Sequence, residues 1–261
     1  MIGVFDSGLG GLSVLAALID TLPHADFIYF ADTAHVPYGN KSEAHIHARV
    51  LAIGEHLVAS GCGMIVVACN TATATAVKSL RSRHPAIPIV GVEPGIKPAA
   101  QSSRNRKIAV LVTEATAKSA RLAGLIRKHA NGCEVIIEPC PGWATHIETL
   151  HLDDPILVTD ARAHIEPLLA QGVDQLVLGC THYSFLSPLL TEIAGSQAQL
   201  VDVADAVARQ THRLAGPFIK GEGKLHLHTS ASPEKLLAAL PGLRLHRIAA
   251  RVTHPPSLVR C

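Results

Sequence analysis

The chain has 261 residues, 48% hydrophobic but only 3% aromatic, so a core is available and must be built from Ala, Val, Leu and Ile. Its 23 basic and 21 acidic residues leave a formal charge of +2, which carries no nucleic-acid footprint, and the basic groups near Arg104, Arg106 and Lys107 and near Arg244, Arg247 and Arg251 read as solvated loops. No apolar run approaches the roughly 18 residues of a membrane span, no basic stretch precedes the opening Met1-Ile2-Gly3-Val4-Phe5 as in a signal peptide, and six cysteines without a Cys-x-x-Cys pair point to free thiols in a reducing cytoplasm.

An apolar strand over 2–5 runs into Asp6-Ser7-Gly8-Leu9-Gly10-Gly11 and a periodic helix over 12–22. A strand over 27–30 leads into a loop over 31–40, then a helix over 42–60 that Gly61 ends. A strand over 64–68 reaches Cys69-Asn70-Thr71 and a helix over 72–83, and Pro85 and Pro88 precede a strand over 89–92. Residues 94–105, with Pro94, Gly95, Pro98 and a polar run, read as a boundary, after which the pattern restarts. It continues with a strand over 108–112, a turn over 113–116, a helix over 118–129 and a strand over 134–137. Helices over 143–150 and 155–171 follow, then a strand over 175–178 that exits at Cys180-Thr181-His182, and a strand over 200–202. The tail offers a helix over 203–214 and strand-like pieces over 224–229 and 244–248.

This alternation predicts an α/β protein with mainly parallel sheets. The strand over 2–5 is echoed at 108–112, and the Cys69 exit at Cys180, which fits two similar flavodoxin-like domains with a cleft between them. We place the domains at 1–96 plus 206–261 and at 97–205.

Ligands of open α/β sheets bind at the carboxyl ends of strands. Four polar clusters fall there: Asp6-Ser7, Asp32-Thr33 through Pro37-Tyr38-Gly39, Cys69-Asn70-Thr71 and Cys180-Thr181-His182. A cysteine between a strand and a helix start meets free N–H donors and a partial positive charge, which favour its thiolate. A buried cysteine is also ordinary core filling; two at matching exits shift the balance toward chemistry. Two thiols in one cleft leave three readings open: a disulfide, a metal site or opposed acid/base groups. Asp6 and His182 are placed to hold or relay protons, although Asp6 serves equally as a capping residue. Gly8-Leu9-Gly10-Gly11 lacks the spacing of a phosphate-binding turn. The pairs His45/His47 and His226/His228 are expected by chance among 16 histidines, so no metal is expected. Cys62, Cys133, Cys140 and Cys261 lack the setting of Cys69 and Cys180 and read as structural or incidental, Cys140 least securely because its loop, flanked by Pro139 and Pro141, falls near the expected cleft.

The motifs Gly3-Val4-Phe5-Asp6-Ser7-Gly8-Leu9-Gly10-Gly11, Ala31-Asp32-Thr33 with Pro37-Tyr38-Gly39, Ala68-Cys69-Asn70-Thr71-Ala72, Gly91-Val92-Glu93-Pro94-Gly95, Val112-Thr113-Glu114-Ala115-Thr116 and Leu178-Gly179-Cys180-Thr181-His182-Tyr183 resemble, in family order over nearly the whole chain, those of glutamate racemases in the aspartate/glutamate racemase superfamily. The resemblance implies cofactor-independent interconversion of L- and D-glutamate, supplying D-glutamate for peptidoglycan. Cys69 would abstract the α-proton from D-glutamate with Asp6 assisting, and Cys180 from L-glutamate with His182 and Glu148 assisting. Asp6, Ser7, Asp32, Pro37, Tyr38, Gly39, Asn70, Thr71, Thr113, Thr116, Thr181 and His182 would line the substrate site. It further implies a homodimer whose domains close on substrate. A second role on DNA gyrase, held by some members, gains nothing from this charge. The alternatives are an aspartate racemase or related isomerase, a catalytically weak binding homologue, and a thiol redox protein. The opening directly on the first strand implies that the N-terminal extension linked to activation by a peptidoglycan precursor is lacking. The sequence departs from the family in lacking Leu-Val-Pro before Glu148, in Val203 and in Ser184-Phe185.

Overall fold

The computed structural model describes residues 1–261. In chain order its elements are β1 (Ile2–Asp6), α1 (Leu12–Thr21), β2 (Phe27–Ala31), α2 (Glu43–Ala59), β3 (Met64–Val67), α3 (Asn70–Arg83), β4 (Ile89–Gly91) and α4 (Ile96–Ser102). There follow β5 (Lys107–Val112), α5 (Glu114–Ala117), α6 (Ala120–His129), β6 (Glu134–Pro139), α7 (Trp143–Glu148), α8 (Pro155–Ala170), β7 (Gln175–Leu178), α9 (Ser187–Ala194) and β8 (Gln199–Val201). The tail holds α10 (Ala204–Ala215), β9 (Leu225–Thr229), α11 (Pro233–Gly242), α12 (His246–Ala249) and β10 (Ser257–Leu258).

The strands form two sheets, ordered β10-β9-β2-β1-β3-β4 and β6-β5-β7-β8. Every pairing within them is parallel. The central strands are buried on both faces, in keeping with the apolar run that makes up most of each. One apolar cluster covers α2, α3 and their face of the first sheet, with Phe5, Phe30, Ile53 and Leu80. A smaller one packs α4 and α6 on the second sheet. The largest runs from α1 and α10 through Tyr29 to Trp143, Tyr183 and α8, so a continuous core joins the two sheets. That shared core fixes the strand ends of both sheets beside one another.

Residues 94–105, read as a boundary, also contain the helix α4; Pro98 stands in its first turn, where the missing N–H has no helical partner to lose. Two expectations need correction. Residues 113–116 are not simply a turn: Thr113 caps the short helix α5, accepting from the Thr116 N–H. Residues 244–248 are not a strand. Arg244 takes a left-handed φ of 57° and α12 follows, while β10 pairs with the outer edge of β9. The alternation in Leu243-Arg244-Leu245-His246-Arg247-Ile248 was too short to separate strand from helix. Helices α9 and α11 and strand β10 lie outside the elements expected from the sequence.

Candidate active site

The carboxyl ends of β1, β3, β5 and β7 bring the polar clusters together. Asp6 ends β1 and is wholly buried. Its Oδ1 accepts from the Ser7 hydroxyl at 3.1 Å and the Gly8 N–H at 2.9 Å, and its Oδ2 accepts from the Thr181 hydroxyl at 2.8 Å. A residue beside one cysteine therefore grips the carboxylate beside the other.

Cys69 takes an extended backbone and serves as the N-cap of α3, its Sγ accepting from the Ala72 N–H at 3.4 Å. Ser7 Oγ lies 4.0 Å from that sulfur. Burial, and then the nearby charge of Asp6, push the Cys69 thiol well above the usual range, while the Ala72 N–H works in the opposite direction. Burial and Asp6 together favour the neutral thiol at Cys69.

Cys180 follows β7 and has different company. Its Sγ is 3.7 Å from Nδ1 of His182, whose Nε2 is 2.6 Å from Oε1 of Glu148. Burial disfavours charge on His182, but hydrogen bonds to Cys180 and Glu148 outweigh it and raise the imidazole well above its ordinary value. The divergent segment before Glu148 still delivers that carboxylate, because α7 is anchored by the fully buried Trp143, whose Nε1–H donates to Asp160 at 2.7 Å.

Between the sheets, the Thr71 hydroxyl lies 3.1 Å from that of Thr113 and 3.2 Å from that of Thr116. Asn70 is buried, and its Nδ2 has no partner. A buried donor left free is costly unless a ligand fills it. A cavity of about 240 Å³ opens beside this cluster, lined among others by Pro37, Gly39, Thr113, Cys140 and Tyr183. Cys140 thus borders the cleft. Gly39 packs so close to Thr113 that a Cβ there would lie 2.9 Å from the threonine Cβ.

Asp32 lies beneath this wall and is wholly buried. Its carboxylate accepts from the Tyr38 hydroxyl at 2.5 Å and from Arg49 at 2.9 and 2.8 Å. Sequence reasoning missed Arg49 and also Tyr29, whose hydroxyl donates to the Gly8 carbonyl at 2.6 Å. The available signals were a lone arginine on the largely apolar helix α2 and a hydroxyl inside an apolar strand, which needs a partner when buried. No group of three or more His, Cys, Asp or Glu is arranged to hold a metal ion, and all six cysteines are unpaired.

A sequence model of the Asp/Glu/Hydantoin racemase family matches residues 2–211. The glutamate racemase of Ectopseudomonas mendocina is 49% identical over 215 residues, 82% of each chain. Among solved structures, the glutamate racemase of Francisella tularensis in complex with D-glutamate superposes with a TM-score of 0.84 at 26% identity, covering 99% of this chain and 97% of that one. The Escherichia coli glutamate racemase in complex with L-glutamate gives 0.83 at 32% identity, covering 93% and 94%.

Proposed function

The chain belongs to the Asp/Glu/hydantoin racemase family, and from that premise we propose that it interconverts L- and D-glutamate by passing the α-proton between Cys69 and Cys180. The observation that supports this reading most is the unlike company of the two thiols, one beside Asp6 and one beside His182 and Glu148, tied together by the Thr181–Asp6 bond.

In the L-to-D direction the Cys180 thiolate takes the α-proton and becomes a thiol. The electron pair stays on the substrate as a carbanion conjugated with the carboxylate. Cys69 gives its proton to the opposite face and becomes a thiolate, with its charge held by the Ala72 N–H. The reverse direction exchanges the roles, and the two thiols return to their starting state by proton exchange. Asp6 orders Cys69 through Ser7, and Glu148 holds His182 toward Cys180. The free Asn70 Nδ2 and the Thr71, Thr113, Thr116 and Thr181 hydroxyls, with Ser7 and Gly39, would hold the substrate's charged groups as fixed dipoles around the developing charge. Asp32 would act through Tyr38, and Pro37 would shape the wall.

In the same reading the units 1–96 plus 206–261 and 97–205 close on the substrate, and the enzyme is a homodimer. We place it in the cytoplasm, where unpaired thiols persist, supplying D-glutamate for peptidoglycan. No helix is long and apolar enough to cross a membrane. The test is α-proton exchange in deuterated water with each enantiomer of glutamate and aspartate. Both glutamates exchange, and Cys69→Ala abolishes racemisation by at least about a hundredfold. Exchange of aspartate alone overturns the substrate, and exchange of neither overturns the mechanism.

A further inference from the structure

The strip Gly8-Leu9-Gly10-Gly11 binds no phosphate in the reading above, yet it lies where the two halves touch. A Cβ on Gly8 would stand 2.1 Å from Oε1 of Glu148, and one on Gly10 would stand 2.4 Å from Nδ1 of His182. At Gly8 and Gly10 the acid/base group of the other half presses against the backbone and leaves no room for a side chain.

The peptide unit between Gly8 and Leu9 is held at both ends. Its carbonyl accepts from the Tyr29 hydroxyl at 2.6 Å, and its N–H donates to Oε1 of Glu148 at 2.6 Å. The same Oε1 faces Nε2 of His182 at 2.6 Å, and His182 Nδ1 faces the Cys180 sulfur at 3.7 Å. A continuous hydrogen-bonded line therefore runs from a tyrosine in the core of the first sheet to the thiol of the second. Tyr29 is wholly buried. Burial, then the charges of Asp6 and Glu148, hold its hydroxyl protonated far above its usual range, so it remains a donor at any working pH. Donation to an amide carbonyl polarises the amide and strengthens its N–H as a donor.

We propose that Tyr29 is a positioning residue for the Cys180 side of the reaction, acting from the opposite half of the molecule through the Gly8–Leu9 peptide and Glu148. The inference rests on the two-thiol reading above. Tyr29 fixes the direction of the peptide, the peptide N–H fixes which oxygen of Glu148 faces His182, and His182 is thereby held in line with Cys180. The Cys69 side has its own supports, Asp6, Ser7 and the Ala72 N–H, and meets this line only at Gly8, whose N–H donates to Asp6 Oδ1.

The test is Tyr29→Phe, which keeps the ring and removes one oxygen. α-Deuterated L-glutamate breaks its C–D bond at Cys180, and α-deuterated D-glutamate breaks it at Cys69. In the variant, turnover falls about three- to tenfold, the scale of one neutral hydrogen bond. The isotope effect from L-glutamate rises and that from D-glutamate falls toward unity, because transfer at Cys180 has become the slower step in both directions. A folded variant with both isotope effects unchanged overturns the proposal while leaving the two-thiol reading intact. Wild-type enzyme without an isotope effect from either enantiomer, together with no α-proton exchange, overturns that reading and this proposal with it. Should the variant fail to fold, the wild-type protein still decides: the Leu9 amide proton resonates downfield of the main amide envelope, and an ordinary shift overturns the proposal.

Discussion

Thr181 and Asp6 meet across the cleft, the threonine hydroxyl donating to Oδ2 at 2.8 Å with both residues buried. Each is the neighbour of a different thiol, so this bond ties the geometry of one proton-transfer group to that of the other. In Thr181→Val the shape is kept and the donor is lost, leaving a buried carboxylate oxygen without a partner. The closed cleft is expected to lose about 1–3 kcal/mol. KM then rises and the melting temperature falls, whereas Thr181→Ser restores both. Steady-state kinetics and thermal melts on the two variants check this; a valine variant with wild-type KM would show that the bond does not hold the cleft.

Gly8 takes no left-handed backbone angle, so an alanine there meets only a steric obstacle. That obstacle is the Glu148 carboxylate, 2.1 Å from the new Cβ, with Val36 Cγ2 at 2.8 Å. The carboxylate is the part that can move, and in moving it leaves both the Leu9 N–H and His182. Gly8→Ala is expected to fold and to lose about a hundredfold or more in turnover, the scale of a misplaced acid/base partner. Circular dichroism with kinetics separates the two effects, and near-normal activity in a folded variant refutes the assignment of Glu148.

The parallel sheets were legible because buried runs such as Met64–Val67 and residues 176–178 are continuously apolar and bounded by polar exits. The two cysteines were legible for the same reason, each standing at such an exit. Helix α4 was hidden by Pro98, whose permitted place in a first turn reads in sequence as a break. Glu148 sits in a segment that departs from the family, and its place beside His182 comes from the anchoring of Trp143 rather than from the motif around it. Tyr29 and Arg49 were missed because their roles lie in contacts spanning 21 and 17 residues, which no local pattern encodes.

His182 gives the site a pH signature. Burial opposes its charge, yet the hydrogen bonds to Cys180 and Glu148 hold its folded value above the ordinary imidazole value. A raised folded value means that the contribution to stability is fully present below about pH 6.5 and is lost as pH rises through the folded value. The stability advantage of wild-type protein over His182→Gln is therefore expected to shrink as pH climbs above about 6.5. Denaturant unfolding at a series of pH values measures it. A difference that grows with pH would mean that His182 is neutral in the folded protein.

Arg49 tests whether the wall of the cleft is held from below. Its guanidinium reaches both oxygens of Asp32, at 2.9 and 2.8 Å, and the side chains are 11% and 0% exposed. Removing one partner of so buried a pair leaves a charge without compensation, which costs about 3–5 kcal/mol. Arg49→Leu is thus expected to melt on the order of 10 °C lower. Tyr38 donates to the same carboxylate, and Pro37 and Gly39 beside it line the cavity. Loss of the arginine loosens that loop, so KM rises more than kcat falls. Adding Asp32→Asn to Arg49→Leu removes the stranded charge and returns much of the stability. It returns little of the KM, because the fork that fixed residue 32, and through it Tyr38, is still missing. If the double variant instead recovers KM and stability together, the charge of Asp32 rather than the rigidity of the loop sets substrate affinity, and Arg49 is only its counter-ion.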